Sequence, residues 1–394
     1  MRSVAVVAAL ALALGAAGAC GSKDERPPPF GRFDAGTGGG GPGGFDSGPG
    51  GPPPPDASGF CGNQLIPVVV HRPNLYFVLD RSGSMSELLA GSSFDKYVSA
   101  KLAIKALLMA IGHRVSYGAA VYPSDDAEDC GPGLEIFPTQ PGDPASYAEQ
   151  GAVGPKLATL LDRLARHPPQ GGTPTAATLT ALTPTLQALT GKTSVILATD
   201  GAPNCNASAS CDLAHCMPNI VGLSLSNGQA CDTTFNCCDP ANVVGGGYNC
   251  VDSAASVAAV AALAEAGIRT YVIGMPGSEL FSGVLDELAE TGGTARGAEP
   301  KYYKTTSTKE LGDAIRQIGV EVAISCDIAL DEAPPDPSLV NVYFDQTLLP
   351  SDAADGWVWA ASDRIEIVGP ACDRLKQGDV IQVQVVSGCP TEVR

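Results

Sequence analysis

The sequence predicts an α/β fold, a doubly wound, mostly parallel sheet with helices on both faces, followed by a small all-β region at the C-terminus. Two observations support this. Between residues 75 and 320, short apolar runs alternate with segments of helical periodicity, the pattern of a parallel sheet covered on both sides. Beyond residue 322, short alternating runs are separated by Pro, Asp and Gly turns, which is typical of antiparallel strands.

The α/β part opens with the apolar strand 75–79, which leads into a helix at 94–111 with a broad apolar side. Pro168 and Pro169 end a later helix at 156–166. Pro174 stands at a first helical position, with Thr173 as the expected cap of a helix that runs towards Leu189. The other expected elements are strands at 115–122, 134–137, 195–199, 269–273 and 302–304, and helices at 253–266, 280–290 and 308–320.

The C-terminal region is expected to form a small β-sandwich or a β appendage on the first domain. Its predicted strands are 324–330, 339–344, 357–360, 364–368 and 380–386. Trp357 and Trp359 share one strand face. They could form a carbohydrate platform, but large aromatic side chains at such spacing favour a buried core.

Five oxygen-bearing side chains point to a divalent-metal site. Asp80, Ser82 and Ser84 alternate in the loop after strand 75–79, and Asp200 ends the strand 195–199. Thr173 lies in a Gly-rich loop between them. Mg²⁺ is a hard ion that prefers oxygen ligands. The alternative is that the Asp/Ser/Gly stretch only forms a turn, since these residues bond their own backbone.

This set resembles the metal-ion-dependent adhesion site of the von Willebrand factor type A domain, whose pattern is Asp-x-Ser-x-Ser, a loop Thr and a strand-end Asp. All five positions match, and the resemblance covers residues 70–320. It implies that Ser82, Ser84 and Thr173 bind the cation directly, while Asp80 and Asp200 act mainly through water. The expected cation is Mg²⁺, with Mn²⁺ or Ca²⁺ possible, and the implied partner group is a carboxylate.

The N-terminus is expected to be a secretion signal followed by a tether. Residues 1–19 carry Arg2 and an apolar stretch too short to span a bilayer comfortably, and no other segment is long and apolar enough to do so. Cys20 follows a sequence that resembles the bacterial lipobox, with Ala17 where Leu is usual, so lipidation is expected and ordinary signal cleavage is the alternative. Residues 20–60 are rich in Gly and Pro and are expected to be disordered.

The expected domain limits are therefore 61–321 for the α/β domain, with a Cys-rich insertion at 204–250, and 322–394 for the β-rich region. The formal charge of −18 argues against nucleic acid as a partner, because phosphate backbones require a basic surface. It also disfavours electrostatic docking on anionic lipid, so membrane contact is expected through the lipid alone.

Thirteen cysteines become twelve when Cys20 is assigned to lipid, and an even number in a secreted chain predicts disulfides. Zinc binding by His215 together with cysteines of the insertion is the alternative. Cys61 is the expected partner for one of the C-terminal cysteines. The disulfide candidates are Cys61, Cys130, Cys205, Cys211, Cys216, Cys231, Cys237, Cys238, Cys250, Cys326, Cys372 and Cys389.

These features predict a non-enzymatic, lipid-tethered adhesion module of the bacterial cell envelope, on its extracytoplasmic side, that recognises an acidic group through a bound divalent cation. The alternatives are a structural envelope lipoprotein whose metal only stabilises loops, and a metal-dependent hydrolase. A hydrolase requires a general base, for which only Asp125 and Asp126 are candidates. The Cys-rich insertion is expected to shape partner recognition more than it supports the fold.

Overall fold

The computed structural model describes residues 64–66, 68–69, 72–89, 91–125, 130–323, 326–377 and 383–393. The predicted signal peptide, Cys20, the tether and Cys61 lie outside these residues. The strands are β1 Gln64–Ile66, β2 Val68–Val69, β3 Asn74–Asp80, β4 Ser116–Tyr122, β5 Leu134–Pro141, β6 Thr193–Thr199, β7 Arg269–Gly274, β8 Tyr303–Lys304, β9 Asp327–Leu330, β10 Val340–Phe344, β11 Thr347–Leu349, β12 Gly356–Ala361, β13 Arg364–Val368 and β14 Val383–Ser387.

The helices confirm most of the predicted alternation. They are α1 Lys96–Ile111, α2 Ala145–Glu149, α3 Pro155–Ala165, α4 Thr175–Gln187, α5 Met217–Val221, α6 Ser253–Glu265, α7 Ser282–Thr291, α8 Thr308–Ala323 and α9 Gly369–Gln377. Within the described residues, none of them combines the length and apolarity needed to cross a membrane. The start of α1 is set by Asp95, whose side chain accepts a hydrogen bond from the backbone N–H of Val98 at 2.6 Å.

The central sheet has the order β5-β4-β3-β6-β7-β8, and only β5 runs antiparallel to its neighbour. Successive side chains of a strand point to opposite faces. Leu75, Phe77 and Leu79 of β3 join the core beneath α1, α3 and α8, while Tyr76 and Val78 join the core beneath α4, α6 and α7. Helices therefore cover both faces, and the predicted doubly wound α/β fold is confirmed.

The β-rich region consists of two antiparallel sheets, β1-β14-β10-β11 and β12-β13-β9-β2, that share one apolar core. Trp357 is fully buried in this core, and its Nε1–H donates to the carbonyl of Leu349 at 3.0 Å. Trp357 is therefore a core residue and does not offer a binding platform. Helix α9 packs against β12 and β13. Helix α9 is not among the predicted elements, because few of its nine residues are apolar.

Strands β1 and β2 precede the α/β part in the chain, yet they pair with β14 and β9 of the β-rich region. The sequence analysis assigned residues 64–69 to the α/β domain, and their pairing differs from that assignment. Short apolar runs do not reveal their pairing partners, so sequence alone could not decide between the two sheets. The β-rich region is thus built from both ends of the described chain, with the α/β domain between them.

The Cys-rich insertion forms a separate, disulfide-linked unit. Three disulfides lie within it, and a fourth, Cys130–Cys205, joins its base to the chain just before β5. Outside the insertion, Cys326–Cys372 lies in the β-rich region, and Cys389 is also disulfide-bonded. The three internal disulfides are Cys211–Cys250, Cys216–Cys238 and Cys231–Cys237. Their sulfurs, with nearby apolar side chains of the insertion, form a small core of their own.

The zinc interpretation of the insertion is wrong for the described residues. The sulfurs of Cys211, Cys238 and Cys250 lie within 4.8 Å of one another. All three are bonded in disulfides, so none can supply the thiolate that zinc requires. The two ends of the insertion lie side by side, because the N–H of Asp252 donates to the carbonyl of Pro203 at 2.8 Å.

Candidate metal centre

The predicted site residues lie at the carboxyl edge of the central sheet. Asp80 is the last residue of β3, and Asp200 follows β6, the parallel neighbour of β3. In doubly wound folds this edge is where ligands bind. Both aspartates are almost completely buried, with 0% and 2% exposure, whereas Ser84 is exposed. The site therefore has a buried acidic floor and a rim that is open to solvent.

Short contacts connect four of the five site residues, namely Asp80, Ser82, Ser84 and Asp200. The Ser82 N–H donates to Asp80 Oδ1 at 2.7 Å, and the Ser82 and Ser84 hydroxyl oxygens lie 3.2 Å apart. Ser84 Oγ donates to Asp200 Oδ1 at 2.9 Å. Thr199 Oγ1 donates to Asp80 Oδ2, the second oxygen of that carboxylate, at 2.6 Å. Both carboxylates are thus held by hydrogen bonds, and the two serine hydroxyls lie along the path that connects them.

Thr173 joins this group through its loop. The Gly83 N–H donates to the carbonyl of Gly171 at 3.0 Å, which ties the serine loop to the threonine loop. A Cβ built on Gly201, the residue after Asp200, would lie 3.9 Å from Thr173 Oγ1. Thr173 is itself 4% exposed. All five predicted residues therefore lie around one small region, although they come from three separate loops.

The predicted role of Thr173 as a helix cap was wrong. Helix α4 begins at Thr175 with Pro174 as its N-terminal flanking residue, and no side chain caps it. The backbone N–H of Thr173 instead donates to Asn204 Oδ1 at 2.7 Å. Pro174 has ψ of 57°, outside the helical range, so the helix starts one residue later than the sequence suggested.

The base of the Cys-rich insertion braces the same loop. Asn204 holds Thr173, and the Cys130–Cys205 disulfide packs on Gly172 so closely that a Cβ there would lie 2.5 Å from Cys205 Sγ. Sequence analysis did not identify Asn204 as a contributor to the site. Its position between Asp200 and the first cysteine of the insertion was the only available signal.

A buried lysine is the main feature of the site that the sequence analysis missed. Lys96 is 3% exposed, and its Nζ lies 2.8 Å from Asp200 Oδ2 and 2.8 Å from Glu87 Oε2. Burial opposes the charged form of this ammonium, but the carboxylates of Asp200 and Glu87 outweigh that effect and raise its pKa. Lysine at a first helical position is unusual, because the N-terminus of a helix repels cations, and this was a usable signal.

Burial raises the pKa of the Asp80 carboxyl, and the charge of Asp200 raises it further. Burial also raises the pKa of Asp200, against the opposing influence of Lys96. Two buried carboxylates close together disfavour each other's ionised form, so additional positive charge stabilises the pair. Carboxylate and hydroxyl oxygens are the ligands of hard divalent cations, and this donor set fits such an ion.

Arg81, the residue between Asp80 and Ser82, anchors the surrounding loops. Its guanidinium has no solvent exposure. It donates to the carbonyls of Pro123 at 2.7 Å, Pro168 at 2.6 Å and Ser124 at 3.0 Å. One arginine therefore links the loop after β3, the loop after β4 and the loop that leads to Thr173. A loop arginine is usually exposed, so its sequence position gave no sign of this role.

Of the two candidate general bases of the hydrolase alternative, Asp125 is described by the structure and Asp126 lies outside the described residues. Asp125 pairs with Arg81 at 2.7 Å and with His167 Nδ1 at 2.6 Å. These contacts connect it to Arg81, the neighbour of Asp80 and Ser82.

No protein-family model matches the chain, and a search of curated proteins gave no match. Among solved structures, the chain is similar to the pilus adhesin SpaC of Lactobacillus rhamnosus GG in its open conformation, at 15% identity over 82% of this chain and 39% of that chain, with a TM-score of 0.44. The chain thus spans about two fifths of the length of SpaC.

Two further structures are similar to the chain. One is the vWF domain of the type V pili tip protein Mfa5 from Porphyromonas gingivalis, at 12% identity, 66% of this chain, 96% of that chain and a TM-score of 0.41. The other is the manganese-loaded TRAP protein of Plasmodium vivax, at 14% identity, 76% of this chain, 94% of that chain and a TM-score of 0.37. At these identities and TM-scores the matches alone assign neither a family nor a partner.

Proposed function

We propose that the protein is a surface-exposed binding module of the bacterial envelope that recognises an acidic group on its partner through a divalent cation. In this proposal the α/β part is a von Willebrand factor type A-like domain, and the cation is held by Ser82, Ser84 and Thr173, with Asp80 and Asp200 behind them. Mg²⁺ is the expected ion, and Mn²⁺ or Ca²⁺ are the alternatives.

The observation that carries the proposal is the arrangement of the two buried carboxylates. Both oxygens of Asp80 accept hydrogen bonds, from the Ser82 N–H and Thr199 Oγ1. Both oxygens of Asp200 are engaged as well, by Ser84 and Lys96. The carboxylates are thereby held in place behind the serine hydroxyls. A cation at the hydroxyls would keep much of its positive charge and offer it to an anionic ligand at the open rim.

The proposal is non-enzymatic, and Asp125, the described candidate for a general base, is paired with Arg81 and His167. A purely structural metal is the second candidate, because the site residues come from three separate loops that one cation would hold together. The two roles differ in one respect. Metal removal would abolish partner binding in the first case and lower only thermal stability in the second.

Metal binding is tested by calorimetric titration of the folded protein with Mg²⁺ and with Mn²⁺. We expect one ion per molecule, and an affinity about tenfold or more lower in Thr173→Ala and in Asp80→Ala, since each removes an oxygen from the site. Thr159→Ala is the matched control, because Thr159 lies exposed on α3 and only donates to the carbonyl of Pro155. Equal affinity in wild type and Thr173→Ala would refute the assignment.

Anchoring completes the proposal. A lipid on Cys20 and a Gly- and Pro-rich tether would hold the domain away from the membrane, since a flexible chain of about 40 residues spans roughly 35 Å. Cys20 and the tether lie outside the described residues, so both stay predictions. Incorporation of a fatty-acid probe into the wild type and not into Cys20→Ser is expected, and equal retention of both proteins in the membrane fraction would contradict it.

A further inference from the structure

Lys96 brings a fixed positive charge to the candidate metal centre. Its ammonium contacts the carboxylates of Asp200 and Glu87 and lies close to Gly277. A Cβ built on Gly277 would lie 3.5 Å from Lys96 Nζ. The residue occupies the first position of α1, where the helix dipole repels a cation. Burial of the ammonium also opposes its charge. The contact with the buried Asp200 is what offsets both costs, so the position of Lys96 is tied to the site.

The charges around the site have a direct consequence for ligand choice. Asp80 and Asp200 carry two negative charges, and Lys96 cancels one of them within the protein interior. Glu87, the other partner of Lys96, has a side chain that is 67% exposed, so water screens its charge. With a divalent cation bound, the ammonium therefore leaves the site one charge more positive than it would be without Lys96.

Lys96 also limits what Asp200 can do. Its Oδ2 is bound to the ammonium, and a cation at that oxygen would be repelled by the adjacent positive charge, while Oδ1 already accepts a hydrogen bond from Ser84. Lys96 therefore makes Asp200 a weaker direct ligand for a cation. Charge and geometry act in the same direction, since both favour a carboxylate supplied by the partner over one supplied by this chain.

We propose that Lys96 is the specificity-determining residue of the site. Its charge weakens the binding of the cation itself and strengthens the binding of a carboxylate to the cation-loaded protein. This inference rests on the proposed function, because it requires a cation at Ser82, Ser84 and Thr173. It assigns to one buried lysine the preference for anionic partners.

The test uses Mn²⁺ and acetate as probes on the full chain. Calorimetry gives the Mn²⁺ affinity, and water proton relaxation of the Mn²⁺-loaded protein reports acetate, because acetate displaces water from the ion. Lys96→Met keeps much of the side-chain volume and removes the charge. We expect it to bind Mn²⁺ about tenfold more tightly and to need about tenfold more acetate for the same relaxation change. Lys96→Arg, which keeps the charge, should restore most of the wild-type acetate response.

The control is Lys101→Met, which removes the same charge from the same helix at a lysine that lies over the Tyr97 ring, 4.8 Å from its centroid. It should leave both affinities within about twofold of wild type, since its charge is not at the site. If Lys96→Met weakens both Mn²⁺ and acetate binding, Lys96 only positions Asp200, and the inference is overturned. An unchanged acetate response also overturns it, with the metal site intact. Failure of the wild type to bind Mn²⁺ would instead reject the proposed function.

Discussion

Replacing Arg81 with methionine is expected to destabilise the α/β domain by about 3 kcal/mol and to weaken cation binding about tenfold. The three carbonyls of Pro123, Ser124 and Pro168 would lose their buried donor, and an unsatisfied buried polar group costs about 1–3 kcal/mol. The loops that carry Ser82 and Thr173 would also lose their shared anchor, so the site oxygens would no longer be held together.

Urea unfolding followed by far-UV circular dichroism measures the stability, because most of the helices belong to the α/β domain. Tryptophan fluorescence gives a second probe. Both tryptophans of the chain, Trp357 and Trp359, lie in β12, so their emission reports on the β-rich region alone. In Arg81→Met we expect the dichroism transition to move to lower urea while the fluorescence transition moves less.

The control for this experiment is Arg166→Met. Arg166 is 72% exposed and pairs only with Asp162 at the surface, a contact worth about 0–1 kcal/mol. Arg81→Lys should be intermediate, because a single ammonium cannot reach all three carbonyls. A loss below about 1 kcal/mol in Arg81→Met would contradict the anchoring role, since it would mean that water replaces the guanidinium without cost.

The second large effect is expected from separating the Cys-rich insertion from its base. Residues 207–250 can be replaced by a short Gly-Ser linker, because Asp252 bonds Pro203 and closes the neck of the insertion. Its small core consists only of its own residues, so this excision should leave the Mg²⁺ affinity within about twofold of wild type and the melting temperature within a few degrees. Metal-dependent capture of partner proteins from a surface extract should fall to the level seen without metal.

Changing the residues at the base of the Cys-rich insertion should instead lower the Mg²⁺ affinity. Asn204→Ala combined with Cys130→Ser and Cys205→Ser removes the support of the Thr173 loop and keeps the rest of the insertion. We expect this variant to lose about tenfold in Mg²⁺ affinity, as is typical when groups that orient metal ligands are removed. If the excision lowered Mg²⁺ affinity more than the base variant did, the insertion would be part of the site scaffold, and its assignment to partner recognition would be wrong.

The fold could be predicted because β3 and β6 are buried on both faces and read as continuous apolar runs, while α3 and α8 show clear helical periodicity. Asp80 and Asp200 could be placed together because strand ends of a parallel sheet converge at one edge, and the full set of five was proposed from its resemblance to the metal-ion-dependent adhesion site. Their contacts agree with that proposal, but their role as metal ligands stays a prediction.

The supporting residues could not be predicted in the same way. Arg81, Lys96 and Asn204 act through contacts with residues far away in the chain, and such contacts leave no periodic pattern. Helix α9 was missed for a related reason, since nine residues with few apolar positions look like a loop. Interactions across long sequence separations therefore account for most of what the sequence did not reveal.

The chain order of β1 and β2 has a mechanical consequence. Tension applied from an N-terminal anchor reaches β1 and β2 before it reaches β3. β1 is held to β14 by three residue pairs, and β2 to β9 by two. β3 is paired with β4 over seven residues and with β6 over six, so β1 and β2 are expected to detach first. If the protein is tethered as proposed, the chain on the N-terminal side of β3 would lengthen under load while the α/β domain stays folded.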